Sequence, residues 1–138
     1  MDTQTSDDMP RAPRVLFDAN ALMIPGEFGV DVFTETEMLI GSYEPITLRG
    51  VVNELEGLSQ GRGRGASAAR VGLRLSQRCT VCENPSETVP VDDMIVMFAE
   101  NSGCIVMTND RGLKKKLSRC GIDIIVLRNQ KTLDIIRS

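Results

Sequence analysis

The stretch Cys104-Ile105-Val106-Met107-Thr108-Asn109-Asp110 decides the fold class. Three large apolar residues follow a small one, as in a short buried strand. The run stops at three polar residues, and Arg111-Gly112-Leu113-Lys114 opens a basic helix. A strand with a carboxylate at its C-terminal tip, feeding a helix, is how open α/β sheets place their chemistry. The same pattern stands near the start of the chain, where Val15-Leu16-Phe17 leads into Asp18-Ala19-Asn20.

Working outward, strands and helices alternate. Helices are expected at 30–40, 50–58, 66–77, 92–101 and 111–119, with a brief turn at Pro25-Gly26 and a last helical turn at 132–137. Strands are expected at 15–17, 45–48, 79–82, 105–107 and 122–127. In the helix at 66–77, Ala68, Val71 and Leu75 share a face at helical spacing and are expected to point inward. The alternation predicts one α/β domain over residues 14–138: a parallel five-stranded sheet with helices on both faces and right-handed crossovers. Residues 1–13 are acidic and polar, and are expected to be a disordered tail.

At 138 residues, 41% of them hydrophobic, the chain is large enough for one apolar core. It has no apolar run of membrane-spanning length and no secretory leader pattern, so a cytoplasmic protein without a membrane partner is expected. Charge is uneven. Residues 1–56 hold eleven acids against three bases, and residues 57–138 hold eight acids against thirteen bases. Between Gly57 and Arg78 stand five arginines and no acid, so an anionic polymer has a place to dock on an acidic protein.

Histidine is absent, which excludes His-dependent triads and His general bases. Cys79-Thr80-Val81-Cys82 resembles half a zinc knuckle, but no second pair follows it. Free thiols in a reducing compartment are the expected state.

The acids are better placed. Asp18 and Asp110 end two strands whose tips share one edge of a parallel sheet. Asp92 starts a helix at that edge, and Glu54 lies on the helix that follows the second strand, flanking the Val51-Leu55-Leu58 stripe. Taken singly, Asp18, Asp92 and Asp110 read as helix N-caps and Glu54 as a surface residue. Taken together, four converging carboxylates require a hard cation. Mg²⁺ or Mn²⁺, as one or two ions, accepts such oxygens, neutralises a phosphodiester and supplies water for its hydrolysis.

Four short stretches in order resemble PIN-domain ribonucleases: Val15–Leu22 with Asp18, Val51–Leu58 with Glu54, Asp92–Val96, and Thr108–Lys114 with Asp110. The doubled Asp92-Asp93, the Thr-Asn-Asp triplet and the basic loop look most like the Fcf-type ribosomal-RNA-processing branch and its small archaeal relatives. The resemblance implies a metal-dependent RNA endonuclease acting on structured or single-stranded RNA, with ribosomal RNA the expected target, and frequent homodimers. Asp18, Glu54, Asp92 and Asp110 would be metal ligands and catalytic residues. Asp93 would be an outer ligand, with Asn20, Thr108 and Asn109 orienting the others. Arg62, Arg64, Arg70, Arg74, Lys114, Lys115 and Lys116 would contact phosphates.

Three alternatives stand beside this. One is a VapC-type toxin ribonuclease with an antitoxin partner. Another is a catalytically silent RNA-binding or assembly protein on the same scaffold. The third, a phosphoacceptor receiver domain, needs a lysine after the last strand, where this chain has Arg128.

Overall fold

The computed structural model describes residues 12–138. The expected acidic tail therefore lies outside the described residues, apart from Ala12 and Pro13. In chain order the elements are β1 (Arg14–Phe17), α1 (Ala19–Phe28), α2 (Val32–Ile40), β2 (Glu44–Leu48), α3 (Arg49–Ser59), α4 (Arg64–Leu75), a 3₁₀ turn (Ser76–Arg78), β3 (Thr80–Cys82), α5 (Val91–Ser102), β4 (Ile105–Met107), α6 (Arg111–Arg119), β5 (Ile124–Arg128) and β6 (Thr132–Ile136).

The sheet order is β3-β2-β1-β4-β5-β6. The first five strands run parallel, as the alternation of elements requires. The chain winds outward from β1 to β3, then returns to β4 on the other side. With right-handed crossovers that reversal puts the two helix groups on opposite faces. Val15, Leu16 and Phe17 are accordingly buried whichever face they point to.

The sheet is mixed rather than wholly parallel, because a sixth strand is added where a helical turn was expected. Asn129 and Gln130 both have positive φ, 53° and 58°, and Lys131 N–H donates to the Arg128 carbonyl at 3.0 Å. That is the geometry of a tight hairpin turn, and it sends β6 back antiparallel along β5. Leu-Asp-Ile-Ile is short enough to suit either period, so the turn decided the outcome.

The expected turn at Pro25-Gly26 lies instead inside α1. Asp18 caps the helix start, and Gly29, at φ 69°, closes it with an N–H to the Pro25 carbonyl. A proline there forfeits a helical hydrogen bond, and burial offsets that loss. Ala21, Leu22 and Ile24 are enclosed, and α1 packs closely on α4. A Cβ on Gly26 would lie 2.8 Å from Ala68 Cα, and one on Gly72 would lie 2.9 Å from the Leu22 carbonyl.

This close approach also corrects the inner face of α4. Ala66, Ala68, Ala69 and Gly72 are buried, while Val71 is 38% exposed and Leu75 half-buried. Small residues let the two backbones meet, so the larger ones turn away. Helix α2 starts at Val32 rather than Val30 because Asp31 accepts from Phe33 and Thr34 N–H, both at 3.1 Å, and so caps it. Among the described residues no helix is long and apolar enough to cross a membrane.

Candidate active site

The winding direction reverses between β1 and β4, which leaves a crevice at the C-terminal tips of those two strands. Phe17 pairs with Met107, so the residues beyond them, Asp18 and Thr108, stand side by side at its floor. Both are buried. Asp18 Oδ1 accepts from Ala21 N–H at 2.7 Å, which fixes the carboxylate while capping α1. Asp110 does the same for α6 through Leu113 N–H at 2.8 Å. Capping and ligation are therefore not alternatives here, since a carboxylate has two oxygens and the cap takes one.

Asp92 differs from the expected N-cap. Pro90 occupies the cap position, and Asp92 lies in the first turn of α5. There the helix dipole favours its negative charge. Glu54 sits on α3 between the buried Val51 and Leu55, with its own side chain at the exposed rim.

The electrostatics tie these acids together. Burial, and then the Asp92 and Glu54 charges, push the Asp18 carboxyl up to about 7, against the pull of the Thr108 hydroxyl and Ala21 N–H. The Glu54 carboxyl is raised by loss of solvent and then by Asp92 and Asp110. Asp92 is raised by loss of solvent and by Asp110, with Lys116 opposing. Asp18, Glu54 and Asp92, from separated stretches, are thus each raised in part by the charge of at least one other of the four acids. Among the described residues no three acidic or cysteine side chains are drawn into a ready-made metal cage. The donor set itself is all carboxylate oxygen with one buried acid that resists ionisation, and that chemistry fits a hard divalent cation.

The neighbouring acids have different partners. Asp93 pairs with Lys116 at 2.8 Å, both half-exposed. The Asp92 carboxyl is raised in part by the Asp110 charge.

The three orienting candidates form one network. Thr108 Oγ1 accepts from Asp110 N–H at 3.0 Å. Asn20 Oδ1 accepts from Asn109 N–H at 3.1 Å. The Asn109 amide itself is spent on the Leu127 backbone. Asn20, Thr108 and Asn109 therefore hold the strand tip that carries Asp110.

Of the basic candidates, Arg62, Arg64 and Arg74 are exposed. Arg70 is exposed too, but it donates to the Ser59 carbonyl at 2.8 Å and staples the α3–α4 loop. On α6, Lys114 and Lys115 share a face with Arg111 and Arg119. Those two arginines are not among the residues expected to contact phosphates, although their helical spacing places them beside the lysines. All four cysteines, Cys79, Cys82, Cys104 and Cys120, are free thiols.

A profile described as PIN like domain matches residues 15–130. The chain belongs to the PIN-like domain family. Asp18, Glu54, Asp92 and Asp110 all fall within the matched PIN-like region. Among curated proteins, it is similar to ribonuclease VapC9 of Archaeoglobus fulgidus, with 39% identity over 82 residues, 59% of this chain and 58% of that protein. The alignment thus spans less than two thirds of that relative. It is also similar to ribonuclease VapC4 of Methanocaldococcus jannaschii, with 28% identity over 88% of this chain and 95% of that one. Among solved structures it resembles the PIN domain endonuclease Utp24, with a TM-score of 0.76 and 25% identity over 91% of this chain and 92% of the other. A domain of a functionally unknown protein from Methanocaldococcus jannaschii shares the fold, with a TM-score of 0.61 at 21% identity over 85% of this chain and 92% of that one.

Proposed function

We propose that this PIN-like protein is a divalent-metal-dependent RNA endonuclease that hydrolyses phosphodiester bonds. The observation that carries this is the buried Asp18 at the switch point of the sheet, raised to about 7 first by its burial and then by the charges of Asp92 and Glu54. The ribonuclease and endonuclease names of its relatives support the same activity.

In this reading Asp18, Glu54, Asp92 and Asp110 hold one or two Mg²⁺ or Mn²⁺ ions. When bound, such an ion neutralises the carboxylates and the scissile phosphate and eases deprotonation of the attacking water. The protein supplies position. Ala21 and Leu113 N–H groups fix one oxygen each of Asp18 and Asp110. The hydrogen bonds of Asn20, Thr108 and Asn109 hold the β4 tip, so the acids do not have to be ordered when RNA arrives. Asp93, paired with Lys116, is an outer residue.

For the biological role, ribosomal-RNA processing is the first reading. It is supported by the resemblance of the Asp92-Asp93 and Thr108-Asn109-Asp110 motifs to that branch; the likeness to Utp24 along nearly the whole chain supports the endonuclease activity alone. A VapC-type toxin paired with an antitoxin is the second, favoured by the two curated relatives.

Incubating structured RNA with the purified chain and Mn²⁺ tests the activity. Internal cuts that vanish with chelator and in Asp18→Asn are expected; cuts that persist in both would remove Asp18 and the metal from the mechanism. Induced expression then separates the roles. Growth arrest relieved by Asp18→Asn marks a toxin, whereas accumulation of uncut ribosomal precursors on depletion marks a processing enzyme.

A further inference from the structure

A groove of about 480 Å³ runs between α6 and the sheet edge at β5 and β6. One wall is a stripe of cations, Arg111, Lys114, Lys115 and Arg119, set at helical spacing on one face of α6. The floor is Ile124 and Ile136, a cross-strand pair of the terminal hairpin. Ile136 is 39% exposed, a large apolar side chain open to solvent. Among the described residues no acid lines this groove. Lys116 is not part of it, because its ammonium is held by Asp93 on the other side of the helix.

We infer that this groove carries the backbone of a single-stranded RNA segment leading away from the cleavage site. The inference rests on the ribonuclease reading and adds the path of the substrate. Two observations favour RNA as the occupant. The first is continuity: Arg111 directly follows Asp110, so the cationic stripe begins at the acid cluster and extends ~12 Å along α6. The second is charge. Among the described residues the groove lining carries four cations and no acid, so its field favours a polyanionic backbone. The aliphatic floor offers packing against ribose or base faces without a hydrogen-bond code, so binding there is sequence-tolerant. An acidic extended protein segment is the rival occupant, because β6 is an edge strand.

The test measures binding of a labelled, random-sequence single-stranded RNA to the full chain carrying Asp18→Asn, with chelator present so that nothing is cut. Salt is varied, and Lys114→Ala/Lys115→Ala/Arg119→Ala is added on that background. The triple variant is expected to weaken binding roughly tenfold or more and to lower the salt slope by about 2, at ~0.7 for each phosphate no longer neutralised. Lys115→Gln/Arg119→Gln, at two exposed positions, repeats the measurement should the triple variant unfold. If the parent binds RNA and the groove variants bind it equally with the same slope, the path lies elsewhere while the ribonuclease reading stands. If they lose affinity for an oligoglutamate peptide but not for RNA, the groove serves an acidic protein segment. If the parent binds no RNA either in chelator or with Ca²⁺ in its place, the ribonuclease reading fails and the groove assignment falls with it.

Discussion

The side chain of Asn109 is bonded to the backbone of Leu127 at both ends. Its Nδ2 donates to the Leu127 carbonyl at 3.0 Å, and its Oδ1 accepts from the Leu127 N–H at 2.7 Å. The amide thus stands in for one more residue of β4 pairing with β5, just past Met107, where the strand itself has ended. It anchors the tip that carries Thr108 and Asp110. Asn109→Ala is therefore expected to destabilise the protein by about 1–3 kcal/mol, because it orphans two backbone groups at a partly buried position. Urea unfolding measures this, and cleavage should fall as Asp110 loses its anchor. Unchanged stability would mean that water replaces the amide at no cost.

Asp18→Asn separates stability from activity. Asn keeps the N-cap to Ala21, since its carbonyl oxygen accepts as the carboxylate does. It removes a carboxyl whose folded-state value, about 7, lies above the ordinary 3.8. The folded protein therefore binds the extra proton, and wild-type stability falls as pH rises from about 4 to about 7. Across that window the cost of ionising Asp18 in the fold grows to about 4 kcal/mol. In chelator, Asp18→Asn is expected to be more stable than wild type at pH 8, with the gap closing towards pH 4. Parallel curves of stability against pH for the two proteins would show that Asp18 ionises freely.

Asp92 and Asp93 should behave differently despite adjacency. The Asp93–Lys116 pair is half-exposed, so Asp93→Asn is expected to change stability by under about 1 kcal/mol and to slow cleavage modestly. Asp92→Asn is expected to slow it by more than roughly a hundredfold, beyond the loss typical of a residue that only supports a ligand. Equal rates for the two variants would overturn the assignment of Asp92 as the inner acid.

The packing of α1 on α4 makes a third kind of prediction. Gly72→Ala would bring a methyl to 2.9 Å from the Leu22 carbonyl, so α1 and α4 must part. A loss of about 1–3 kcal/mol is expected. Gly57→Ala, on α3 with nothing within 4 Å of the new Cβ, is expected instead to stabilise by about 0.5–1 kcal/mol. Thermal melts of the two variants give the comparison; shifts of the same sign would show that the helices are not closely packed.

The sequence by itself determined the alternating architecture and the positions of the acids. An apolar run ending at Asp18 or Asp110 has one favourable place, a buried parallel strand with its tip at the sheet edge, and that edge is common to all five parallel strands. The basic character of α6 was legible as the Lys114-Lys115-Lys116 run, but not that Arg111 and Arg119 share the face of Lys114 and Lys115 while Lys116 pairs with Asp93. Three features rested on packing between distant segments. Helix α1 keeps Pro25 because α4 covers it, so local propensity pointed to a turn. The inner face of α4 is set by backbone approach at Gly26 and Gly72, which favours alanines over Val71 and Leu75. Strand β6 follows from two positive-φ residues that a Leu-Asp-Ile-Ile pattern does not announce. The site divides the same way. That Asp18, Glu54, Asp92 and Asp110 share an edge follows from topology. That Asp93 pairs with Lys116, and that Asn109 is spent on Leu127, was decided by side-chain partners brought from α6 and β5, which no spacing within one segment encodes.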